Sequence, residues 1–465
     1  MRVCFIMYQG NMYSGGQGVY LHHLTRELVL LGHDVHVIAG RPYPEVVEGV
    51  HLHRLKTFSF WSFLDGIDEF RFRTSPLAFF HPVNFYEFVT TRFTLASLFL
   101  MFSLRAYVKL RELSRQAPFD LVHDNQTLAY GILLMKELGP PGRGLPVVAN
   151  IHHPLTIDRR NALARARALR HRVGAWLWYP WYMQRLVAAR VDRIITGSQN
   201  SARSIVELLG LPSEHVRPIL DGVDVKTFRP VEGVEKEAGS LLFVGNSEDL
   251  NKGAPYLIAA LGRLRGRVPF HLTLVDRKPE DLKVVPPLVR RYGLGNDVTY
   301  TGRVSNEELV RLYSRSQVVV SPSLYEGFGL PAAEAMACAT AVVATSAGAF
   351  PEVVADGLTG VLVPPADPDT LAEAICTLLE DPELCRRMGE AGRRRVVRRF
   401  TWRETARQTV ALYEEVQARS GERRPMNSRK PGLSAEGGCA SGASLASQPP
   451  CQPEGWPSKA EGSSR

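Results

Sequence analysis

The sequence predicts an α/β protein with two successive doubly wound units, each a parallel sheet wrapped by helices. In the first half of the 465 residues, short apolar runs alternate with helical patterns, which is typical of parallel sheets. A second alternating series of similar length begins at Leu241. Between the two series, a Pro- and Glu-rich stretch that runs to about Ser240 has no periodicity and is interpreted as a linker.

The first unit opens with a strand, a glycine loop and a helix, in the order of a Rossmann-like unit. The loop covers residues 14–18 (SGGQG), an amphipathic helix follows from about Val19 to Leu31, and Gly32 closes it. The predicted strands are Val3–Met7, Val35–Ala39, Leu121–His123, Val147–Ile151 and Ile194–Thr196. We therefore assign residues 1–220 to an N-terminal domain.

The second unit, residues 221–400, repeats this alternation. Its predicted strands are Leu241–Val244, Leu272–Val275, Val298–Thr301, Val318–Val320, Val342–Ala344 and Gly360–Val363. A helix from Trp402 to Gln417 follows, within a segment that we place at residues 401–418. From residue 420 to 465 the composition turns to Gly, Ser, Pro, Glu and Lys with few apolar residues, which predicts a disordered tail.

Two segments of the first unit are additional to its alternating strands and helices. Residues 58–102 are dense in aromatic side chains, and residues 157–190 combine arginines with the run WLWYPWY from Trp176 to Tyr182. The second segment fits a surface helix followed by a helix that buries its aromatics. It also fits a membrane-surface element, since basic side chains with Trp and Tyr suit the headgroup region. Binding to nucleic acid is not predicted, because no RNA-binding module signature is present.

Composition indicates a cytoplasmic globular enzyme. The net charge of +9 suits an anionic ligand, an anionic membrane surface or nucleic acid, without choosing among them. The six cysteines show no Cys-x-x-Cys spacing, so the sequence predicts neither a zinc site nor a disulfide framework. The N-terminus has too short an apolar run for a signal peptide, and no uncharged apolar stretch reaches about 18 residues. Contact with the inner face of the membrane stays open.

The stretch from Ser321 to Glu334, SPSLYEGFGLPAAE, carries the main functional signal. Two glutamates, Glu326 and Glu334, flank a Gly-Phe-Gly loop that leads into a helix with Pro331 in its first turn. The unpaired N–H groups of such a helix start suit a phosphate. Because two carboxylates would repel an anion, they must bind another part of the same ligand. Hydroxyl groups are the natural partners of the carboxylates, and a nucleoside diphosphate sugar carries both phosphate and hydroxyl groups.

A cation for the diphosphate is also present. Lys252 lies just beyond the first strand of the second unit, in FVGNSEDLNKGAPYL, although Asn251-Lys252-Gly253 also fits a plain helix start. No Asp-x-Asp metal clamp is convincing, because Asp221-Gly-Val-Asp224 has the wrong spacing and Asp367-Pro-Asp369 resembles a helix start. The sequence therefore predicts stabilisation of the leaving diphosphate by cationic side chains and N–H groups, with no metal and no other cofactor.

The string SPSLYEGFGLPAAEAMA closely resembles the donor-binding motif of the retaining glycosyltransferases of family four, also described as glycosyl transferases group one. The resemblance covers about residues 1–415 and implies the GT-B fold. In that fold two Rossmann-like domains face each other across a cleft, and a C-terminal helix crosses back to the first domain. It further implies acceptor binding by the first domain and nucleotide-sugar binding by the second.

The resemblance also assigns residues. It implies a catalytic role for Lys252, Glu326 and His152, the last at the end of a first-unit strand. It implies a donor-binding role for Gly15, Gly16, Asn246, Lys252, Arg303, Val304, Glu326, Gly327, Phe328, Gly329, Leu330 and Glu334. Glu326 would hold hydroxyls of the donor sugar and Glu334 those of the ribose. Asn125, which replaces a histidine of the family, is a candidate sugar contact.

One departure from the family concerns the diphosphate. The family carries an arginine and a lysine in the loop after the first strand of the second domain; Lys252 matches the lysine, but Asn246 stands in place of the arginine. Asn246 donates hydrogen bonds without carrying a charge, so the clamp is weaker or is completed from elsewhere. Arg303, in TGRVSNEEL, is one substitute.

The function implied by the resemblance is metal-independent transfer of a sugar from a nucleoside diphosphate sugar to an acceptor, with retention of configuration. The acceptor is left open among a lipid-linked molecule, a polysaccharide and a small molecule. Two alternatives remain at this level. A nucleotide-sugar epimerase of the same fold would need a group poised for proton abstraction, and a non-catalytic protein that binds sugar nucleotides or membranes is favoured by the missing arginine alone.

Overall fold

A computed structural model describes residues 1–10, 16–60, 80–139, 144–152, 154–165 and 168–422. These residues form a seven-stranded and a six-stranded sheet, both parallel throughout. The two predicted α/β units are therefore present, as is the helix that returns to the first sheet. Residues 61–79 of the aromatic segment and the predicted disordered tail from residue 423 lie outside the described residues.

The first sheet has the strand order β3-β2-β1-β4-β5-β6-β7. Its strands are β1 (Arg2–Met7), β2 (Asp34–Ala39), β3 (Val50–Arg54), β4 (Leu121–Asn125), β5 (Val147–Asn150), β6 (Arg193–Thr196) and β7 (Val216–Pro218). The helices are α1 (Gln17–Leu30), α2 (Pro82–Thr90), α3 (Leu95–Ser114), α4 (Tyr130–Glu137), α5 (Leu155–Arg165), α6 (Leu169–Trp178), α7 (Trp181–Ala188) and α8 (Gln199–Leu209).

The second sheet has the strand order β10-β9-β8-β11-β12-β13. Its strands are β8 (Glu237–Val244), β9 (His271–Val275), β10 (Val298–Tyr300), β11 (Ser316–Ser321), β12 (Ala341–Thr345) and β13 (Val361–Val363). The helices are α9 (Ala254–Leu264), α10 (Val285–Arg291), α11 (Asn306–Arg315), α12 (Leu330–Ala337), α13 (Phe350–Val353), α14 (Pro368–Glu380), α15 (Pro382–Arg399) and α16 (Trp402–Glu422).

Sequence reasoning missed two strands at the edges of the first sheet. In β3 the apolar residues alternate with histidines, and most of its side chains are half-buried or exposed. β7 has only three residues. Neither gives a continuous apolar run, because an edge strand is covered on fewer sides than a central one. The strands that were predicted are all present, and the predicted helix start at Asp367 is confirmed, since its carboxylate accepts hydrogen bonds from the N–H groups of Asp369 and Thr370.

The terminal helix α16 packs against the first sheet, as expected for this fold. Trp402, Leu412 and Tyr413 are buried in the same apolar cluster as β1 and α1. The Tyr413 hydroxyl lies 2.5 Å from Nδ1 of His123 on β4. The helix continues to Glu422, beyond the predicted end at residue 418, because no helix breaker precedes Gly421.

The chain crosses between the sheets twice, and the two crossings lie side by side. Val223, in the turn before β8, donates its N–H to the carbonyl of Phe400, and it also forms a bridge with Thr401. A Cβ atom on Gly222 would lie 2.3 Å from the nitrogen of Trp402, so only glycine fits this crossing. Asp224 anchors the turn to the first sheet's helix α1 through an ion pair of 3.1 Å with Arg26.

The basic and aromatic segment buries its aromatics only in part. Trp176 and Tyr182 are 55% and 52% exposed, whereas the other three aromatic side chains of the run are half-buried. The interpretation of a helix that buries its aromatic side chains is therefore wrong for Trp176 and Tyr182. Cys4 and Cys338 are buried free thiols. Among the helices that the structure describes, none combines the length and the apolar character needed to span a bilayer.

Candidate active site

The predicted site residues of the second half gather at one edge of its sheet. Because all strands are parallel, the loops that follow β8, β9, β10, β11 and β12 emerge at the same carboxyl edge. Ligands of open α/β sheets bind at this edge. The loops bring together Asn246 and Lys252 after β8, Arg303 after β10, and Glu326 after β11.

Lys252 and Glu326 form an ion pair at this edge. The Lys252 Nζ lies 2.8 Å from Oε2 of Glu326, and the two side chains are 30% and 15% exposed. Burial alone would lower the pKa of Lys252, but the Glu326 carboxylate beside it outweighs burial and raises that pKa above its ordinary value. The ammonium is therefore held charged in a largely desolvated place, next to a carboxylate.

A tight turn places Lys252. A short 3-10 turn, Leu250–Lys252, is capped by the Asp249 side chain and ends at Gly253, whose φ is +70°. A Cβ atom on Gly253 would lie 1.9 Å from the Pro322 carbonyl oxygen. Glycine therefore allows the lysine turn to pack directly on the chain just before Glu326.

The loop from Glu326 to Leu330 leads into α12 as predicted. Gly329 has φ +94°, and Pro331 lies in the first turn of the helix. Behind the loop, Gly348 approaches so closely that a Cβ atom there would lie 2.1 Å from the Glu326 carbonyl oxygen, which accepts the Ala349 N–H at 3.0 Å. The predicted donor residue Phe328 is 3% exposed, so its side chain is part of the core and only its main chain lines the loop.

Glu334 lies one turn inside α12 and is half-buried. Its Oε2 accepts a hydrogen bond of 2.9 Å from the hydroxyl of the fully buried Tyr313. Burial raises the pKa of Glu334 to about 7, although the Tyr313 hydrogen bond acts in the opposite direction. This carboxyl group can therefore change its protonation state near neutral pH.

The first sheet presents glycine and strand-end residues to the same loop. A Cβ atom on Gly16 would lie 3.9 Å from the Leu330 side chain, and one on Gly327 would lie 3.1 Å from the His152 carbonyl oxygen. Gly16 has φ +71° and precedes α1. The predicted glycine loop thus faces the predicted donor loop; Gly15 lies outside the described residues.

The imidazole of His152 lies against the side-chain amides of two asparagines. Its Nε2 lies 2.8 Å from Oδ1 of Asn125 and 3.2 Å from Nδ2 of Asn150, and Tyr20 packs edge-on against the ring. Burial lowers the pKa of His152 to about 3, so the imidazole is neutral at physiological pH. Asn125 is fully buried and bonds His152 and the Gln17 carbonyl, which makes it a group that orients the imidazole.

Sequence reasoning missed Arg277, which lies beside Asn246. The Nη2 of Arg277 donates a hydrogen bond of 2.7 Å to Oδ1 of Asn246. Val244 of β8 pairs with Val275 of β9. Asn246 and Arg277 each lie two positions after these paired residues. A cation is therefore present next to the place of the missing family arginine, carried by the neighbouring strand. Its signal was a cationic residue two positions after a predicted strand.

Arg303 and Val304 lie farther along this edge, after the outermost strand β10. Arg303 is exposed, and Val304 packs partly against the core. The preceding Gly302 would place a Cβ atom 3.8 Å from the Lys278 side chain, which follows Arg277. The loops after β9 and β10 thus form one basic corner of the site.

A second missed residue is Asp221, which the sequence indicated only as part of a turn. A Cβ atom on Gly197 would lie 3.3 Å from Oδ2 of Asp221 and 3.5 Å from the Gly327 carbonyl oxygen, so this carboxylate lies beside the donor loop. Burial raises its pKa to about 7. No hydrogen bond or ion pair of this carboxylate is found among the residues that the structure describes. An acidic residue at the start of the crossing turn was the available signal.

One further contact joins the two halves. The Glu352 carboxylate, on α13, accepts the N–H groups of Gln199 and Asn200 at 2.8 and 2.9 Å. These N–H groups belong to the first turn of α8, where the helix dipole favours a negative charge. The contact therefore ties the second half to the first at the edge of the cleft.

Comparison with known proteins agrees with this geometry. The sequence matches the family described as glycosyltransferase family 4 over residues 14–227 and the family described as glycosyl transferases group 1 over residues 224–395. It is 38% identical to an MMP α-(1→4)-mannosyltransferase of Mycolicibacterium hassiacum over 422 residues, covering 90% of this chain and 99% of that protein. A glycogen synthase of Mycobacterium tuberculosis is 29% identical, covering 88% and 93%.

Solved structures give the same picture. The sucrose-phosphate synthase of Thermosynechococcus elongatus superposes with a TM-score of 0.69 at 25% identity, covering 90% of this chain and all of that one. HepE of Anabaena in complex with UDP-glucose has a TM-score of 0.63 at 18% identity, covering 89% and 100%, and supports the fold alone. The chain therefore belongs to glycosyltransferase family 4 and has the two-domain GT-B fold of glycosyl transferases group 1.

Proposed function

We propose that this protein transfers a mannosyl group from a nucleoside diphosphate sugar to a mannose-containing glycan. The observation that carries the donor assignment is the Lys252–Glu326 pair of 2.8 Å at the start of α12, facing the end of β5 across the cleft. A charged ammonium, a carboxylate and helix N-terminal N–H groups in one place suit a ligand with both phosphates and hydroxyls. The similarity to the mannosyltransferase supports the sugar class, and the acceptor class is part of the proposal that the assay below tests.

Each group has a proposed part in donor binding. Lys252 and the N–H groups from Gly327 to Leu330 hold the diphosphate, Glu326 holds hydroxyls of the sugar, and Glu334 holds the ribose hydroxyls. The position of Arg277 beside Asn246 supports a role for this arginine, with Arg303, in completing the positive field around the phosphates. Residues 221–400 would then form the donor-binding domain and residues 1–220 the acceptor-binding domain.

The proposed mechanism is transfer on one face of the sugar, with retention of configuration. As the diphosphate leaves, Lys252 and the N–H groups stabilise its growing charge, and a leaving phosphate oxygen accepts the proton of the acceptor hydroxyl. His152, which is neutral, supports the sugar by hydrogen bonding and does not act as an acid. Glycosyltransferases of this family are generally metal-independent, and we propose the same for this chain.

The test is a transfer assay with the full-length protein. GDP-mannose, UDP-glucose and ADP-glucose are each combined with an α-mannoside, an α-glucoside or a sugar phosphate, and the released nucleoside diphosphate is measured with and without EDTA. The proposal predicts turnover only with a mannosyl donor and the α-mannoside, an α-configured product by NMR, and no effect of EDTA. Transfer to the α-glucoside with a glucosyl donor would contradict the mannosyl assignment while leaving the enzyme class in place.

We further propose a cytoplasmic protein that touches an anionic membrane through α2 and α6. Buried free thiols fit a reducing compartment. Phe93, beyond α2, and Trp176 on α6 are 66% and 55% exposed. Arg170 and Arg172 are exposed on the same helix as Trp176. The Thr94 hydroxyl donates to the Leu177 carbonyl at 2.8 Å, which brings the two exposed apolar groups together.

Sedimentation with vesicles tests this contact. We expect binding to vesicles that contain phosphatidylserine, weaker binding to purely zwitterionic vesicles, and loss of binding in Trp176→Ser. The exposed Leu358→Ser, on the second half of the chain, serves as a matched control. Equal binding by both variants, or no binding to anionic vesicles, would refute the membrane contact without bearing on sugar transfer.

A further inference from the structure

A cluster of metal-ligand side chains lies on the first sheet, outside the candidate active site. Asp34 and His36 lie two positions apart on β2, and His51 lies on the neighbouring edge strand β3. Because His36 and His51 are directly paired in the parallel register, their side chains share one face of the sheet with Asp34. In the part of the chain that the structure describes, this is the cluster in which three such groups bring their ligand atoms within 4.8 Å of one another.

The distances fit a tetrahedral zinc ion. Oδ1 of Asp34 lies 3.1 Å from Nε2 of His36 and 3.6 Å from Nε2 of His51. Zinc binds such nitrogen and oxygen atoms at about 2.0–2.2 Å, which in a tetrahedron separates neighbouring ligand atoms by about 3.4 Å. The two distances lie on either side of this value. Two imidazoles and one carboxylate are also a ligand set that zinc accepts.

The cluster has the supporting contacts of a metal site. Nδ1 of His36 lies 2.9 Å from Nε2 of His53, so a proton on Nδ1 leaves the Nε2 lone pair directed at the cluster. Nε of Arg2 lies 3.2 Å from Oδ2 of Asp34, which leaves Oδ1 for a metal. Histidine and carboxylate ligands of metals generally have such outer partners, which fix their orientation.

Arg2 also competes with the ion. Its Nη2 lies 3.2 Å from Nε2 of His36, and this contact must be given up when His36 binds a metal. Its charge also repels a cation nearby. A site with this competitor binds zinc less tightly than a closed structural site, and removing the arginine should strengthen binding.

We propose that Asp34, His36 and His51 bind one Zn²⁺, with water in the fourth position. Asp34 and His51 are 46% and 59% exposed at the side chain, so ion and water reach the site from solvent, while His36 is 8% exposed and fixes its inner side. The ligands lie in the amino-terminal halves of β2 and β3, at the opposite end of the strands from the cleft. The ion would fasten the edge strand β3 to β2 and take no part in sugar transfer.

Isothermal titration of full-length, untagged protein with ZnCl₂ at pH 7.5, after chelation and buffer exchange, tests the site. We expect one zinc per chain for the wild type, at least about 10-fold weaker binding for His51→Gln and Asp34→Asn, and several-fold tighter binding for Arg2→Gln. The exposed His271→Gln on β9 is the matched control and should bind like the wild type. Visible absorption of the Co²⁺-loaded protein should show a tetrahedral site that is lost in His51→Gln.

Thermal unfolding gives a second readout. Zinc should raise the melting temperature of the wild type and of His271→Gln, but not that of His51→Gln, because only a ligand bound to the folded state stabilises it. Absence of stoichiometric zinc in the wild type, or equal zinc binding and equal thermal shifts in His51→Gln and His271→Gln, would overturn the proposal. None of these readouts depends on transferase activity.

Discussion

Replacing Lys252 by alanine removes both its proposed catalytic charge and its structural contact with Glu326, and the two losses differ in size. At 2.8 Å and an effective dielectric constant of 20, the gross attraction of the pair is about 6 kcal/mol. Desolvation of both groups and residual solvent screening offset most of it, which leaves a net contribution to folding of about 1–2 kcal/mol. The effect on catalysis is larger. Losing one preorganised group that stabilises transition-state charge costs about 10²–10³-fold in rate.

The assay is a double-mutant cycle in which both stability and transfer rate are measured. Lys252→Ala, Glu326→Ala and the double variant are compared with the wild type by urea unfolding and by single-turnover transfer. We expect a coupling of about 1–2 kcal/mol in unfolding and loss of nearly all transfer in each single variant, with the fold intact by circular dichroism. Lys109→Ala is the control, because it breaks an ion pair of 2.7 Å with Glu112 that is more exposed and lies on α3.

Near-normal transfer by either Lys252→Ala or Glu326→Ala would refute the assigned roles. If Lys252→Ala unfolds while Glu326→Ala does not, the lysine is structural, and Lys252→Arg then decides whether charge alone restores the rate. A loss of transfer in Lys109→Ala comparable to that in Lys252→Ala would show that the assay reports stability and not chemistry.

The remaining predictions concern the cleft and its electrostatics. Glu352→Gln should weaken the contact with the first turn of α8 by about 1–2 kcal/mol. We expect a higher Michaelis constant for the donor and little change in melting temperature. A lower melting temperature with an unchanged Michaelis constant would contradict a role of this contact at the cleft. Because the pKa of Asp221 is raised to about 7, the folded state holds an extra proton between about pH 4 and 7, and stability is lost as pH rises through this range. Asp221→Asn should therefore gain stability relative to the wild type at pH 8 but not at pH 4, by urea midpoints, while the exposed Asp281→Asn shows no such trend. Arg277→Gln should weaken donor binding about 10-fold in calorimetry, and adding Asn246→Arg should restore it; no loss in the single variant would exclude Arg277 from the site.

The sequence predicted the sheet cores and the donor loop because both depend on local patterns. Apolar runs such as those of β1 and β12 identify strands buried on both faces, and the Gly-Phe-Gly loop before Pro331 identifies the start of α12. The edge strand β3 was missed because its histidines alternate with apolar residues and none of its side chains is fully buried. The proposed zinc site was missed for a different reason, because the pairing of His51 on β3 with His36 on β2 is not visible in the order of residues along the chain.

The site positions that the sequence missed share one physical cause. Arg277 becomes a neighbour of Asn246 through strand order, and Asp221 becomes a neighbour of the donor loop through the crossing turn. In both cases the fold brings together residues that are far apart in sequence. Asn246 suggested a missing positive charge because the sequence shows only the loop after β8, in which it replaces the family's arginine. Since β9 pairs with β8 in register, a guanidinium at the equivalent position of β9 reaches the same place. Electrostatic stabilisation depends on where a charge lies and not on which strand carries it, so the sheet can keep positive charge at the proposed diphosphate site after losing the family's own arginine.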